Sequence, residues 1–310
     1  MNKGEKIFVA GHRGMVGSAL VRCLEAKGYR NLVFRTRDEL DLTRQVDVEL
    51  FIQEERPDFI FLAAARVGGI HANNTFRADF IYENLIIESN IVHAAWLAGV
   101  KRLLFLGSSC IYPRDCAQPI KEDYLLTGPL EQTNEPYALA KIAGLKLCES
   151  YNRQYGTNYV SVMPTNLYGP NDNYNLLESH VLPALIRKAH EAKLRGDRQL
   201  TVWGTGTPRR EFLYVDDMAE ACVFLMEKGV QEGVFNVGTG CDVTIRELAE
   251  TVIRVVGFEG FVSFDTSRPD GTPRKLLDVG KMRDLGWIAK TGLHDGITKA
   301  YKDFMQNVHS

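Results

Sequence analysis

Short apolar runs alternate with longer stretches of helical periodicity through the first half of the chain, and glycine or a charged residue stops each run. The first run is 7–10; Met15, Val16, Leu20, Val21 and Leu24 then recur at helix spacing until Gly28, which reads as strand, turn and helix. Runs at 32–34, 59–64, 103–106 and 159–163 repeat the strand pattern, with helices expected near 45–55, 76–98 and 137–155. Such runs have no polar face to turn to water, so they predict strands of a parallel sheet covered by helices on both sides and crossed right-handedly, an α/β doubly wound fold.

The pattern changes after Pro164. Gly169-Pro170 and the polar stretch 171–175 interrupt it, and a helix is expected over about 180–193. The apolar segment 212–214, a helix over 215–228 and a strand over 234–237 are apolar enough to return to the large sheet, whereas 244–256 and the last sixty residues read as mixed short elements. The predicted organisation is a first unit over 1–170, to which 212–240 returns, and a smaller, discontinuous unit from 171–211 and 241–310.

Composition narrows the class. The 310 residues are 45% hydrophobic and 25% charged, which excludes a disordered or fibrous chain. Lys plus Arg number 37 against 39 Asp plus Glu, a formal charge of −2, and no block of like charge stands out, so no nucleic-acid or membrane partner is expected. The six cysteines, Cys23, Cys110, Cys116, Cys148, Cys222 and Cys241, lack the spacing of a disulfide framework or zinc site; reduced thiols, no metal and a cytoplasmic setting are the expectation. The opening residues are too short in apolar length for a signal peptide, and the longest apolar runs fall well below the roughly 18 residues of a membrane helix.

The chemistry begins directly after the first strand, at Gly11-His12-Arg13-Gly14-Met15-Val16-Gly17. Glycines at that spacing allow a tight turn and bring backbone N–H groups to a pyrophosphate at a helix N-terminus, although glycines between a strand and a helix also serve as plain turn residues. The second strand ends in Arg35-Thr36-Arg37, where an NAD enzyme carries an acid for the ribose diol. Solvated arginines also end exposed strands, but Arg13 and Arg37, with no acid before Asp38, favour a 2′-phosphate and therefore NADP(H).

Further along, a serine-rich strand end, Gly107-Ser108-Ser109-Cys110-Ile111-Tyr112-Pro113, is followed 25 residues after Tyr112 by Tyr137 and then by Lys141. Tyrosine and lysine at i, i+4 share a helix face, so the ammonium can lower the phenol pKa while a serine hydroxyl shares the substrate oxygen. A lone pair at that spacing is common by chance; the glycine loop and the strand-end serine make the combination specific.

With these residues in place the chain resembles the extended short-chain dehydrogenase/reductase family, in the branch that works on nucleotide sugars. The likeness covers essentially the whole chain and includes Leu62-Ala63-Ala64-Ala65, Asn134-Glu135-Pro136-Tyr137-Ala138, Lys146-Leu147-Cys148-Glu149, Pro164-Thr165-Asn166-Leu167-Tyr168-Gly169-Pro170, Arg210 before Glu211-Phe212, and Arg268-Pro269-Asp270-Gly271-Thr272-Pro273-Arg274-Lys275. More narrowly, these motifs are similar to those of members that epimerise GDP-4-keto-6-deoxy-D-mannose at C3 and C5 and reduce it at C4. The resemblance implies a Rossmann-type NADP unit and a small-molecule nucleotide-sugar substrate. It implies catalysis by Ser108, Tyr137 and Lys141, with Cys110 and His180 as the acid/base pair for the carbon acids.

Cofactor contacts are implied at Gly11 through Gly17, Arg37, Asp41, Leu42, Leu106, Gly107, Lys141, Pro164, Thr165, Asn166, Leu167 and His180. Substrate contacts are implied at Lys188, Trp203 and Arg210, and more weakly at Asp270 and Lys275, where an aromatic can stack on a base and cations meet a diphosphate. A homodimer is also implied, through two long helices carrying Ile81, Leu85, Ile86, Ile91, Leu139, Ile142, Leu145 and Leu147. Two rivals remain: a 4-epimerase or 4,6-dehydratase on the same fold, the latter disfavoured because Cys110-Ile111 stands where a dehydratase carries Asp-Glu, and a non-catalytic NADP-sensing protein.

Overall fold

The computed structural model describes residues 1–176, 178–268 and 270–307; Pro269, part of one motif quoted above, lies outside the described residues. Strand β1 (Ile7–Ala10), helix α1 (Met15–Ala26), β2 (Leu32–Val33), α2 (Gln45–Glu55), β3 (Phe59–Leu62), the short α3 (Ile70–Thr75), α4 (Arg77–Leu97), β4 (Arg102–Leu106), α5 (Glu135–Tyr155) and β5 (Tyr159–Pro164) follow in order. The predicted strands at 32–34 and 59–64 are shorter than read, because Phe34 and the residues after Leu62 leave the ladder to form the rim of the sheet.

After β6 (Asn166–Tyr168) come α6 (Val181–Arg195), β7 (Gln199–Trp203), β8 (Arg209–Tyr214), α7 (Val215–Lys228), β9 (Gly233–Val237), β10 (Asp242–Thr244), α8 (Ile245–Val256), β11 (Phe261–Asp265), β12 (Arg274–Lys275), α9 (Gly280–Leu285) and α10 (Leu293–Asn307). The capping box of α8 is explicit: the Thr244 side chain accepts from the Glu247 N–H at 3.1 Å while the Glu247 carboxylate accepts from the Thr244 N–H at 2.7 Å.

Six strands form one parallel sheet in the order β2-β1-β3-β4-β5-β9. Alternation deals its side chains to two cores. Phe8, Ile60, Leu62, Leu103, Phe105 and Met163 face α2, α4 and α5, while Ile7, Val9, Phe59, Phe61, Leu104 and Val162 face α1 and α7. Of the segment 212–240, α7 packs on α1 and β9 joins the edge of this sheet. Residues Phe212–Tyr214 do not: they belong to β8, which pairs with β6, β10 and β12 in a separate sheet. Their apolarity serves a third core, in which Phe212 and Tyr214 meet Leu185, Ile186, Leu248, Val252 and Phe304. Among the described residues no helix is long and apolar enough to cross a membrane, and the six cysteines are free.

Of the eight apolar residues named on α4 and α5, Ile91, Ile142 and Leu145 point into the core beneath the helices. The two helices pack side by side, so their apolar residues are divided between the core and the outside. Leu139 is exposed and Ile81, Leu85, Ile86 and Leu147 are half-buried.

Candidate active site

The glycine loop is shaped by contacts that no side chain could share. Gly11 adopts φ +84°, and a Cβ there would lie 2.7 Å from the Ala64 nitrogen; a Cβ on Gly17 would lie 2.0 Å from the Gly11 oxygen. Helix α1 therefore starts directly on the end of β1, with Gly14 as its N-cap and no side chain satisfying its first N–H groups. The His12 ring stacks on Phe34 at 4.7 Å, and its Nδ1 is buried without a partner. A cradle that a Cβ would fill, a helix start with no side-chain cap and an unsatisfied buried nitrogen fit a dinucleotide pyrophosphate.

The two arginines after β2 have different fates. Arg35 is tied to Glu55 at 2.7 Å and lies over the Phe51 ring, so it is part of the scaffold. Arg37 is exposed, as is Arg13 in the glycine loop, and neither makes an ion pair among the described residues. Asp41 accepts from the Thr43 N–H and hydroxyl, which holds its carboxyl below the usual range, and the Leu42 carbonyl accepts from Asn90 at 2.9 Å.

At the end of β4, Gly107 donates to the Val162 carbonyl and Ser108 turns the chain into a single 3-10 turn by accepting from the Cys110 N–H at 3.3 Å. The Ser108 hydroxyl lies close to both the Tyr137 hydroxyl and the Cys110 thiol. Helix α5 begins two residues before Tyr137, with Pro136 in its first turn, and places Lys141 one turn on, its Nζ 5.8 Å from the Tyr137 ring centre. Burial, with the charges of Cys110 and Glu88, drives the Tyr137 phenol well above its ordinary pKa; the Ser108 contact works in the opposite direction.

His180 is the N-cap of α6 and lies near Lys275. Desolvation and the nearby Lys275 charge hold it below the ordinary histidine range. Burial raises the Cys110 thiol, with Lys275 drawing it back down. Lys275, on β12, thus stands close to both groups; burial lowers its own pKa, with Arg210 adding to that and Cys110 opposing it. The weaker sequence assignment of Lys275 consequently lies at the centre of the cleft, carried there by the pairing of Arg274 and Lys275 with Arg209 and Arg210 of β8.

Farther out, the exposed Trp203 ring lies between Lys188 and Arg268, each 5.1 Å from its centre. Asp270 accepts from the Thr205 N–H at 2.9 Å and its hydroxyl at 2.7 Å, and lies near Arg210. The structure brings these five together as one cationic and aromatic wall. Arg268 was not singled out in the sequence, where only its motif was noted. Pro164 ends β5, the Thr165 hydroxyl and the Asn166 amide both donate to the Glu211 carbonyl, and Leu167 is half-buried, so this segment walls the cleft through its backbone.

One residue escaped sequence reasoning altogether. Glu88 of α4, 1% exposed, places its carboxylate 2.9 Å from Lys141 Nζ, and burial pushes that carboxyl up against the opposing pull of the ammonium. The signal was present: Glu88 shares a helix face with Asn84, Ile91 and Ala95, all buried, and a carboxylate on a core-facing stripe requires a cation.

Residues 7–238 match the model of the NAD dependent epimerase/dehydratase family. The sequence is 58% identical to GDP-L-fucose synthase 1 of Arabidopsis thaliana over 307 residues, 99% of this chain and 95% of that protein. It is 57% identical to GDP-L-fucose synthase of Escherichia coli (strain K12) over 312 residues, 98% of this chain and 97% of that one. A solved GDP-L-fucose synthetase from Naegleria fowleri bound to NADP is similar at a TM-score of 0.92 and 29% identity, covering 100% of this chain and 95% of that one.

Proposed function

The chain belongs to the NAD dependent epimerase/dehydratase family, and we propose that within it the protein converts GDP-4-keto-6-deoxy-D-mannose to GDP-L-fucose, by 3,5-epimerisation and then NADPH-dependent reduction at C4. The observation that carries this reading is the convergence of two proton-handling sets in one cleft: Ser108, Tyr137 and Lys141 on one side, and Cys110 and His180 beside Lys275 on the other.

Bound NADPH would supply a hydride to the sugar C4. Its pyrophosphate would lie on the 11–17 loop, its 2′-phosphate between Arg13 and Arg37, and its nicotinamide ribose at Lys141, with Asp41, Leu42, Leu106, Gly107 and the 164–167 segment along its length. Trp203 and Lys188 would receive the nucleoside diphosphate, with Arg210 and Asp270 beside them.

The protein's own groups do the rest. Ser108 and Tyr137 hold the C4 oxygen, which stabilises the enolate formed when a proton leaves C3 or C5. Burial raises the Cys110 thiol, and desolvation with the Lys275 charge lowers the His180 imidazole. The opposite directions favour a proton donor in one group and an acceptor in the other, the condition for removing hydrogen from one face and returning it to the other. In the reduction Tyr137 donates its proton to the C4 oxygen.

The half-buried residues Ile81, Leu85, Ile86 and Leu147 and the exposed Leu139 support a homodimer through α4 and α5. The deciding experiment is incubation with GDP-4-keto-6-deoxy-D-mannose and NADPH in deuterium oxide. NMR of the product is expected to show GDP-L-fucose carrying deuterium at C3 and C5. A reduced sugar with unchanged C3 and C5 would leave a plain 4-reductase.

A further inference from the structure

We propose that Glu88 is a positioning residue for the hydride-transfer half of the site, holding the Lys141 ammonium in place beneath Tyr137; the inference rests on the function proposed above. Lys141 is fixed from two directions, by the Glu88 carboxylate at 2.9 Å and by the Leu106 carbonyl, which accepts from Nζ at 3.0 Å. Both charged side chains are 2% exposed, and the ammonium also lies 4.9 Å from the Phe105 ring centre. Among the described residues neither carboxylate oxygen has a hydrogen-bond partner, so the ion pair alone compensates its burial.

The pairing is built into the crossing of two helices. Glu88 comes from α4 and Lys141 from α5, and the carboxylate fits only because α5 carries Gly144 at the crossing, where a Cβ would lie 2.4 Å from Glu88 Oε2 and 2.6 Å from the Phe105 ring. A buried ion pair is a poor means of stabilising a core, since apolar residues of similar volume do as well or better. Its use here follows from what Lys141 must do. A long, four-carbon side chain in a cleft that opens to admit a cofactor would otherwise be free to sample several rotamers, and the carboxylate, approached from the floor of the site, selects the one that lies along the Tyr137 ring.

The charged and titratable groups facing this pair from the surrounding elements are Tyr137 on α5, Cys110 on the 3-10 turn after β4, and the buried Cys148 of α5. Without its carboxylate, Lys141 becomes an unpaired buried ammonium. With the Glu88 charge gone, one of the influences that raise the Tyr137 phenol is lost and the ammonium is no longer offset, so the phenol gives up its proton earlier as pH rises. That removes the form that reduces the substrate, and the alkaline limb moves to lower pH.

The test is Glu88→Gln in the full-length protein, measured for NADPH-dependent reduction and, without NADPH, for deuterium wash-in at C3 and C5. The expected result is a reduction rate lower by about ten- to a hundredfold, with the alkaline limb of its pH profile shifted down by about one unit. Wash-in should remain within about twofold of wild type. Glu88→Asp, which keeps the charge, should lose rate but retain the wild-type limb. Equal losses in reduction and wash-in with an unmoved profile would mean that Glu88 only packs the core and would overturn the proposal, as would no change in either. Should Glu88→Gln fail to fold, Glu88→Asp against Glu88→Asn makes the same comparison at matched volume, and identical limbs overturn it. If the wild-type protein does not turn over the nucleotide sugar, the function reading fails by itself; fluorescence titration with NADPH then tests Glu88 alone, with weaker binding by Glu88→Gln as pH rises expected and an unchanged affinity counting against it.

Discussion

At the scale of single residues the site is legible where chemistry restricts the choice of side chain and opaque where a partner comes from elsewhere in the chain. Arg35 and Arg37 look alike in sequence, yet Arg35 is bound to Glu55, whereas Arg37 is exposed and makes no ion pair among the described residues. Arg37→Asp is therefore expected to weaken NADPH more than NADH, read as the ratio of the two dissociation constants; an equal loss for both would remove the 2′-phosphate assignment. The acid/base pair offers a second test. Lys275 depresses His180, so Lys275→Met should raise the imidazole pKa toward the ordinary value, and a histidine NMR titration of the two proteins measures it directly. Cys110→Ser and His180→Gln should each slow deuterium wash-in sharply while leaving NADPH binding near normal. Tyr137→Phe should abolish reduction with some exchange remaining, because Ser108 still holds the C4 oxygen.

At the scale of elements, the strands and long helices follow from periodicity, since runs buried on both faces admit few alternatives. The crossing of α4 and α5 depends on one glycine. A methyl group at Gly144 would overlap Glu88 and Phe105, so Gly144→Ala is expected to destabilise the fold by about 1–3 kcal/mol, as overpacked cores do. Urea denaturation would read it as a lower midpoint at unchanged slope. Sequence reasoning marked neither this glycine nor Glu88: each needs a neighbour about 56 residues away in sequence, and neither changes the helix pattern around it. The strand over 212–214 was misassigned for a related reason. Apolar residues announce that a strand is buried, but they do not say in which core, and Phe212 and Tyr214 fill the third core.

For the molecule as a whole, the prediction is a homodimer that buries the outer strip of α4 and α5, where Leu139 is 43% and Leu97 56% exposed. Light scattering at micromolar concentration should give twice the 34.9 kDa of the chain, and a monomer mass would remove the claim. The amino-acid sequence by itself determined the α/β order of elements and the place of the glycine loop between β1 and α1, because those depend on local periodicity, and it singled out Ser108, Tyr137 and Lys141 as candidates. The tertiary structure alone decided that β8 leaves the large sheet, that Arg35 is scaffold, that Lys275 comes near both the thiol and the imidazole, and that Glu88 meets Lys141. Each of these is a pairing of charges or strands far apart in the chain, and such partners are selected by how packed elements cross, which no local pattern records.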